Sequence, residues 1–276
     1  MMLGNKTASN VNDITNMFAD YFQSFYTKKD ADTDNYQSKT LDEYSLGSSS
    51  LGQIGIAEND MAFEIMDLVE MTSSGPDGIP PIFIKICLKQ IVKPIHILIQ
   101  KSLDAGEFPT KWKYSYIKPT HKKGDKQQVK NWNPCLSLAQ LQKFTTLSSK
   151  KILPHLSQII SNEEHAHIKN QSSSTNLAGL LEEGISSLNE NKQLDIIYID
   201  MSKAYDSINN DLLIYKLQKY GIHGNLLKLI KSFLKNRTQS VKIGNCISEE
   251  FTASSGIGQR TYMGSLSYVA YTNDCK

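Results

Sequence analysis

The chain has 276 residues, with 30 Lys and Arg against 28 Asp and Glu, a formal charge of +2 and 39% hydrophobic residues. That is enough chain to bury a real core in one large or two small domains. The charge is too mild to identify a partner, so only its local distribution informs. Cys87, Cys135, Cys246 and Cys275 are widely scattered with no C-x-x-C pair. This argues against a zinc site or a disulfide framework and fits a reduced intracellular setting. "MMLGNKTASN" has no apolar core of signal-peptide length, and no run reaches the length of a membrane span, so a soluble protein is expected.

In chain order, "NVNDITNMFADYFQSFYT" carries Ile14, Met17, Phe18, Tyr21, Phe22 and Phe25 at helical spacing. It predicts an amphipathic helix capped at Asn12 or Asp13 and docked on a core. "KKDADTDNYQSKTLDEYSLGSSSLGQ" is polar and rich in Ser, Asp and Gly, as in a linker, which sets a boundary between residues 1–55 and 56–276. "AENDMAFEIMDLV" predicts a short helix and "SSGPDGIP" a turn. "PIFIKICLKQIVKPIHILIQKSLDAGEFP" predicts two helices broken at Pro94. "YSYIKPTHKKG" alternates like a strand entering a basic loop, and "STNLAGLLEEGISSLNENK" reads as a helix leading to the apolar run 196–199. "NNDLLIYKLQKYG" and "NLLKLIKSFLKNR" predict two more helices, the first ending at Gly221. "QSVKIGNCISEEFTASSG" reads as a hairpin around Gly244 and Asn245, with "SGIGQR" as a tight turn. The sum is an α+β chain, helix-rich, with a mainly antiparallel sheet.

The run Ile196, Ile197, Tyr198, Ile199 ends directly in Asp200, with Asp206 soon after. Its β-branched character predicts a strand covered on both faces, where charge is excluded unless a metal or a cation compensates it. Such a pair can hold a hard divalent cation, since Mg²⁺ takes one or two protein carboxylates and completes its shell with substrate phosphates. The plainer reading is a strand-end Asp that stabilises the following turn. A phosphoacceptor Asp of a receiver domain is a third, but the second acidic pair and the short βα repeat it needs are not visible.

The basic stretch "KWKYSYIKPTHKKGDKQQVK" concentrates Lys111, Lys113, Lys118, Lys122, Lys123, Lys126 and Lys130 among Trp112, Tyr114 and Tyr116. It can neutralise phosphates and offer stacking faces, or be a solvated lysine face with its aromatics in the core. His165 and His167 have no third ligand nearby and read as surface or loop histidines.

Six blocks, "SSGPDGIPPIFIK", "GEFPTKWKYSYIKPTHKKGDKQQVKNWNP", "IISNEEHAHIK", "IDMSKAYDSINNDLLIYKLQKYGI", "FLKNRTQSVKIG" and "SSGIGQRTYMGSLSYVAYTND", occur in one order. In that order they resemble the reverse transcriptase of non-LTR retrotransposons of the jockey and X-element sort, over about residues 56 to 276. The resemblance implies the fingers and partial palm of a right-hand polymerase. It places Asp200 on the catalytic carboxylate that binds both metal ions, with Mg²⁺ as the metal. It puts Tyr205 at the aromatic position that excludes a ribose 2′-hydroxyl, Asp206 beside it as a turn-stabilising acid, and Lys122 or Lys123 at the incoming triphosphate. Lys111, Lys113, Lys118, Lys126 and Lys130 fall where nucleic acid runs, and Gln259 in a turn against the nucleotide and template base. The implied partners are an RNA template, a DNA primer and deoxynucleoside triphosphates, in cytoplasm and nucleus.

Several positions depart from the family pattern. Gly258 stands where it has Pro, Arg260 where it has Gly, and Asn133 where it has Arg. "EEHAHIKNQSS" has lost the Gly, Phe and Arg that usually follow its first His. The aromatic-Ala-Asp-Asp turn that supplies the family's second carboxylates is absent from the 276 residues, Asp274 is not that turn, and the thumb is not seen. A two-metal mechanism needs carboxylates from both places. The expectation is thus a polymerase fragment without activity as an isolated chain; the alternatives are a non-catalytic nucleic-acid-binding remnant and an open reading frame without function.

Overall fold

The computed structural model describes residues 1–26, 50–70, 74–138, 145–161, 164–165, 171–258 and 261–274. A two-strand hairpin, β1 (Met2–Leu3) and β2 (Lys6–Thr7), leads into α1 (Val11–Gln23). Asn10 caps α1, its side chain accepting from the Asp13 amide at 2.8 Å. The cap therefore falls before Val11 rather than at Asn12 or Asp13, and α1 begins earlier than its sequence suggested. Most of the polar stretch read as a linker lies outside the described residues.

Then come α2 (Glu58–Met66), α3 (Pro81–Ile86) and α4 (Leu88–Ala105). The expected break at Pro94 is not there: the interruption sits at Cys87 and Pro94 is inside α4. A helix-interior proline costs about 3 kcal/mol, but Ile95, Ile99 and Leu103 are buried along the same face. At about 1.5–3 kcal/mol each, their burial offsets that cost.

The strands β3 (Tyr114–His121) and β4 (Trp132–Leu138) pair antiparallel through a basic loop, His121 opposite Trp132. Helices α5 (Thr145–Leu156), α6 (Ser173–Asn189), α7 (Asn210–Lys219) and α8 (Gly224–Leu234) follow. The chain closes with β5 (Arg237–Ile243), β6 (Cys246–Ile247), β7 (Phe251–Ala253) and α9 (Tyr262–Thr272). The predicted hairpin forms, with Ile243 opposite Cys246 across Gly244 and Asn245.

The five-stranded sheet runs β4-β3-β5-β6, with β7 also on β5; only the β3–β5 pairing is parallel. This is a mixed α+β architecture with a mainly antiparallel sheet. One face of the sheet receives α1, with Phe18 and Phe22 buried on Ile117, Val129 and Val241. The larger core lies among α2, α4, α5, α7, α8 and α9, around Met61, Ile99, Ile152, Leu213, Ile230 and Val269. No helix among the described residues is long and apolar enough to cross a membrane.

A further expectation fails. Residues 192–200 form no strand, and Ile197, Tyr198 and Ile199 are about 80% exposed (84%, 81% and 79%) rather than covered on both faces. Strand preference is chiefly a matter of neighbours, and a single apolar run without a ladder has little to hold it. Here the described sheet is made of β3, β4, β5, β6 and β7, and none of them pairs with 195–200. The helix before it, α6, forms as predicted but buries none of its residues.

Candidate functional site

The turn that follows Asp200 is built locally. The amides of Asp206 and Ser207 both donate to the Lys203 carbonyl, at 2.9 and 3.1 Å, and Lys203 takes the left-handed conformation, φ 55°. The turn 254–258 is clamped onto it. Ser255 Oγ donates to the Asp206 carbonyl at 2.6 Å, the Gly256 amide to the Ile208 carbonyl at 2.7 Å and the Ile257 amide to the Tyr205 carbonyl at 2.9 Å. Gly256 has φ +74°, and a Cβ there would lie 2.6 Å from the Tyr205 carbonyl oxygen and 2.7 Å from Asp206 Cα. Only glycine fits so close an approach of two backbones.

Beneath the clamp, Arg237 is buried. Its Nη2 donates to the carbonyls of Ser255 and Gly256 at 2.6 and 2.7 Å, and its Nε to the Leu234 carbonyl. Burial pushes its pKa down, while the fields of Tyr26 and Asp206 push it up. Asp206 is itself only 6% exposed. Tyr26 donates to Gln239 Oε1 at 2.7 Å, and burial, with Asp206 adding to it, pushes the phenol up to about 12. Asp206 therefore belongs to a buried charge arrangement under the turn.

Above it opens a cavity of about 580 Å³. Asp200, Lys203 and Asp206 form one wall, Lys122, Lys130 and Trp132 of the β3–β4 hairpin a second, and Tyr21 and Phe25 a third. Sequence reasoning singled out Asp200, Lys122 and Lys130, which are about 70 to 80 residues apart in the chain, and the structure brings them to one hollow. Asp200 itself is exposed.

The other expected site residues lie elsewhere. Tyr205 is half-buried and stacked on Tyr268, ring centroids 4.6 Å apart at 12°, and burial raises its pKa. Lys123, Lys126, Lys111 and Lys118 are exposed and do not line the cavity. Lys113 turns toward α8, where Nζ reaches Ser232 Oγ at 3.4 Å and burial lowers its pKa. Of the aromatics in the basic stretch, Trp112 is buried against Phe108 and offers no stacking face; Tyr114 donates to Ser240 Oγ at 3.0 Å. His165 contacts Thr175 Oγ1 at 2.8 Å. Gln259, Arg260 and His167 lie outside the described residues.

Sequence reasoning missed Trp132, Lys203 and Phe25 as cavity residues. Trp132 is held between Phe18 and His121, edge-on to both, with its indole N–H on the Lys126 carbonyl. The alternation of "NWNPCLSL" could have flagged a strand. Nothing local distinguishes Lys203, because its place depends on Phe25, 178 residues away.

The donor set suits one hard cation better than two. Asp200 is the accessible carboxylate, Asp206 is engaged below, and no group of three or more His, Cys, Asp or Glu side chains among the described residues could hold a metal ion. A cation on Asp200 with phosphate oxygens completing its shell fits the usual habits of Mg²⁺.

No protein-family model matches the chain. It is similar to a probable RNA-directed DNA polymerase from transposon BS of Drosophila melanogaster, 25% identical across 98% of the chain and 30% of that protein. It is similar to the probable RNA-directed DNA polymerase from transposon X-element of the same species, 23% identical across 72% of the chain and 22% of the relative. It also matches an uncharacterized 149 kDa protein of transposon TX1 from Xenopus laevis, 21% identical across 68% of the chain and 14% of that protein. The chain thus spans less than a third of the length of these curated relatives. The ordered sequence blocks and the polymerase names of the two Drosophila relatives point to the same family.

Proposed function

We propose that this relative of transposon RNA-directed DNA polymerases carries the nucleotide-entry part of a reverse transcriptase, made of fingers and partial palm, in cytoplasm and nucleus. The observation that supports it most is the meeting of Asp200 with Lys122 and Lys130 across one cavity. A carboxylate that lines the same hollow as two ammonium groups suits a metal-bound triphosphate: the lysines supply point charges for phosphate oxygens and Asp200 an anionic oxygen for the metal. In the family reaction, deoxynucleotides are added to a DNA 3′-hydroxyl on an RNA template. When bound, Mg²⁺ polarises phosphate oxygens and stabilises the charge that builds on them.

The residues of this chain would bind and orient. Lys122 and Lys130 hold the phosphates on the hairpin wall, and Trp132 gives the cavity a flat face against which a base or sugar can lie. Tyr205, stacked behind the turn, is proposed as the residue that limits space at the sugar. Gln259 is proposed at the nucleotide and template base, and Lys123, Lys111, Lys113, Lys118 and Lys126 along the RNA and DNA backbone.

A two-metal reaction needs more carboxylates than this cavity presents. We therefore propose binding without turnover for the isolated chain. Equilibrium dialysis of a deoxynucleoside triphosphate with Mg²⁺ should show binding that weakens in Asp200→Asn and in Lys122→Gln, with primer extension at background. Binding indifferent to both substitutions would overturn the reading, and extension lost in Asp200→Asn would show that further catalytic acids are present. The alternative, a remnant that binds nucleic acid without nucleotides, predicts RNA binding with no effect of Asp200→Asn.

A further inference from the structure

Lys203 has a setting that the function proposed above does not use. Its Nζ sits 3.7 Å from the centroid of the Phe25 ring, on the cavity wall beside Asp200. A ring face attracts and orients an ammonium without cancelling its charge, as a carboxylate would. The ring is itself fixed, edge-on to Tyr21 at 4.8 Å and to Phe22 at 5.6 Å. Phe22 is fully buried in the α1–sheet core. A cation is therefore held over the hollow by a segment that is anchored independently of the turn.

The backbone adds a second observation. A left-handed φ of 55° disfavours a lysine by roughly 1–2 kcal/mol, and Gly or Asn suits it better. A residue kept against its conformational preference points to a task for its side chain. The charge count defines that task. Lys122, Lys130 and Lys203 line the hollow with Asp200 and Asp206, and Asp206 lies in the field of buried Arg237. The hollow is thus left with excess positive charge, suited to a polyanion.

Resting on the nucleotide reading, we propose that Lys203 contacts the phosphates of the bound nucleotide and that Phe25, from the N-terminal helix, is its positioning residue. Residues 11–26 then belong to the ligand site as well as to the fold.

The test uses the full chain and inorganic tripolyphosphate in EDTA, followed by calorimetry, so that no metal enters. Lys203→Gln is expected to weaken binding about tenfold or more, the usual worth of a charge-assisted contact. Phe25→Leu, which keeps bulk and removes the ring face, is expected to weaken it roughly three- to tenfold, and Phe25→Tyr to restore it. Lys101→Gln, on the exposed side of α4, is expected to change nothing. Lys203→Gly separates function from structure: it should bind as weakly as Lys203→Gln while its denaturation midpoint stays level or rises, the reverse of a purely structural lysine.

Unchanged affinity in Lys203→Gln, or equal loss in Phe25→Leu and Phe25→Tyr, would overturn the proposal. The same preparations are titrated with Mg²⁺ and a deoxynucleoside triphosphate. If the unaltered chain binds neither probe, the nucleotide reading fails and takes this one with it. If it binds both and Lys203→Gln matches it, only the present proposal fails.

Discussion

Gly256→Ala puts the joint between the two turns under direct load. An L-residue at φ +74° carries roughly 1–2 kcal/mol of backbone strain. The new Cβ would also lie 2.6–2.7 Å from the Tyr205 and Asp206 carbonyl oxygens and from Asp206 Cα, all backbone atoms that cannot swing aside. The turn must then separate, weakening the contacts of Ser255 Oγ, the Gly256 amide and the Ile257 amide with 205–208. At about 1 kcal/mol for each of these three bonds, with the backbone strain added, the total is about 4–5 kcal/mol. Gly244→Ala is the control. Its φ is +59° but no heavy atom lies within 4 Å of an added Cβ, so only the backbone strain of roughly 1–2 kcal/mol applies. Urea denaturation of the pair, followed by far-UV circular dichroism with the slope m unchanged, reads the difference. Equal destabilisation of the two variants would refute the close approach of the turns.

Tyr26 has its proton held in the fold up to about pH 12, against about 10 in an unfolded chain. Its stabilising contribution is complete below pH 10 and is lost as pH rises through 12, on the order of 1 kcal/mol by pH 11; Tyr26→Phe should lack that loss in denaturation at pH 9 and 11. Arg237→Met strips the carbonyls of Ser255 and Gly256 of their buried donor and leaves Asp206 without its compensating field. It should cost about 3–5 kcal/mol, part of it recovered in the double variant with Asp206→Asn. Binding of single-stranded RNA should fall with salt, and Lys123→Gln with Lys126→Gln, both proposed along the RNA backbone, should flatten the log–log slope by about 1.4, at about 0.7 per phosphate contact. The same change at Lys28 and Lys29 should leave it unaltered.

Local signals were legible in the sequence and non-local ones were not. Helices α1, α2, α7 and α8 follow from apolar spacing, and the β5–β6 hairpin from Gly244 and Asn245, because each depends on residues within a few turns of chain. Pro94 misled because its helix-breaking cost is local while the burial of Ile95, Ile99 and Leu103 that overrides it is tertiary. The run 196–199 misled in the opposite direction: its composition announces a covered strand, but a strand exists through partners, and the described sheet gives it none. Asp200, Lys122 and Lys130 were singled out by residue type and by the family resemblance of the blocks that hold them, and the fold places all three on one cavity. Lys203 and Phe25 were not, because a cation over a ring is visible only when the two segments meet.

The chain has two tryptophans, one on each side of the question. Trp132 lines the cavity with Asp200, and Trp112 is buried in the helical core. Mn²⁺ added with a deoxynucleoside triphosphate, in place of Mg²⁺, broadens the indole N–H resonance of whatever ring it approaches. A metal-bound nucleotide at Asp200 predicts selective broadening of the Trp132 signal, sparing of Trp112, and loss of that selectivity in Asp200→Asn. Equal broadening of the two signals, or selectivity that survives Asp200→Asn, would contradict the assignment of the cavity as the nucleotide site.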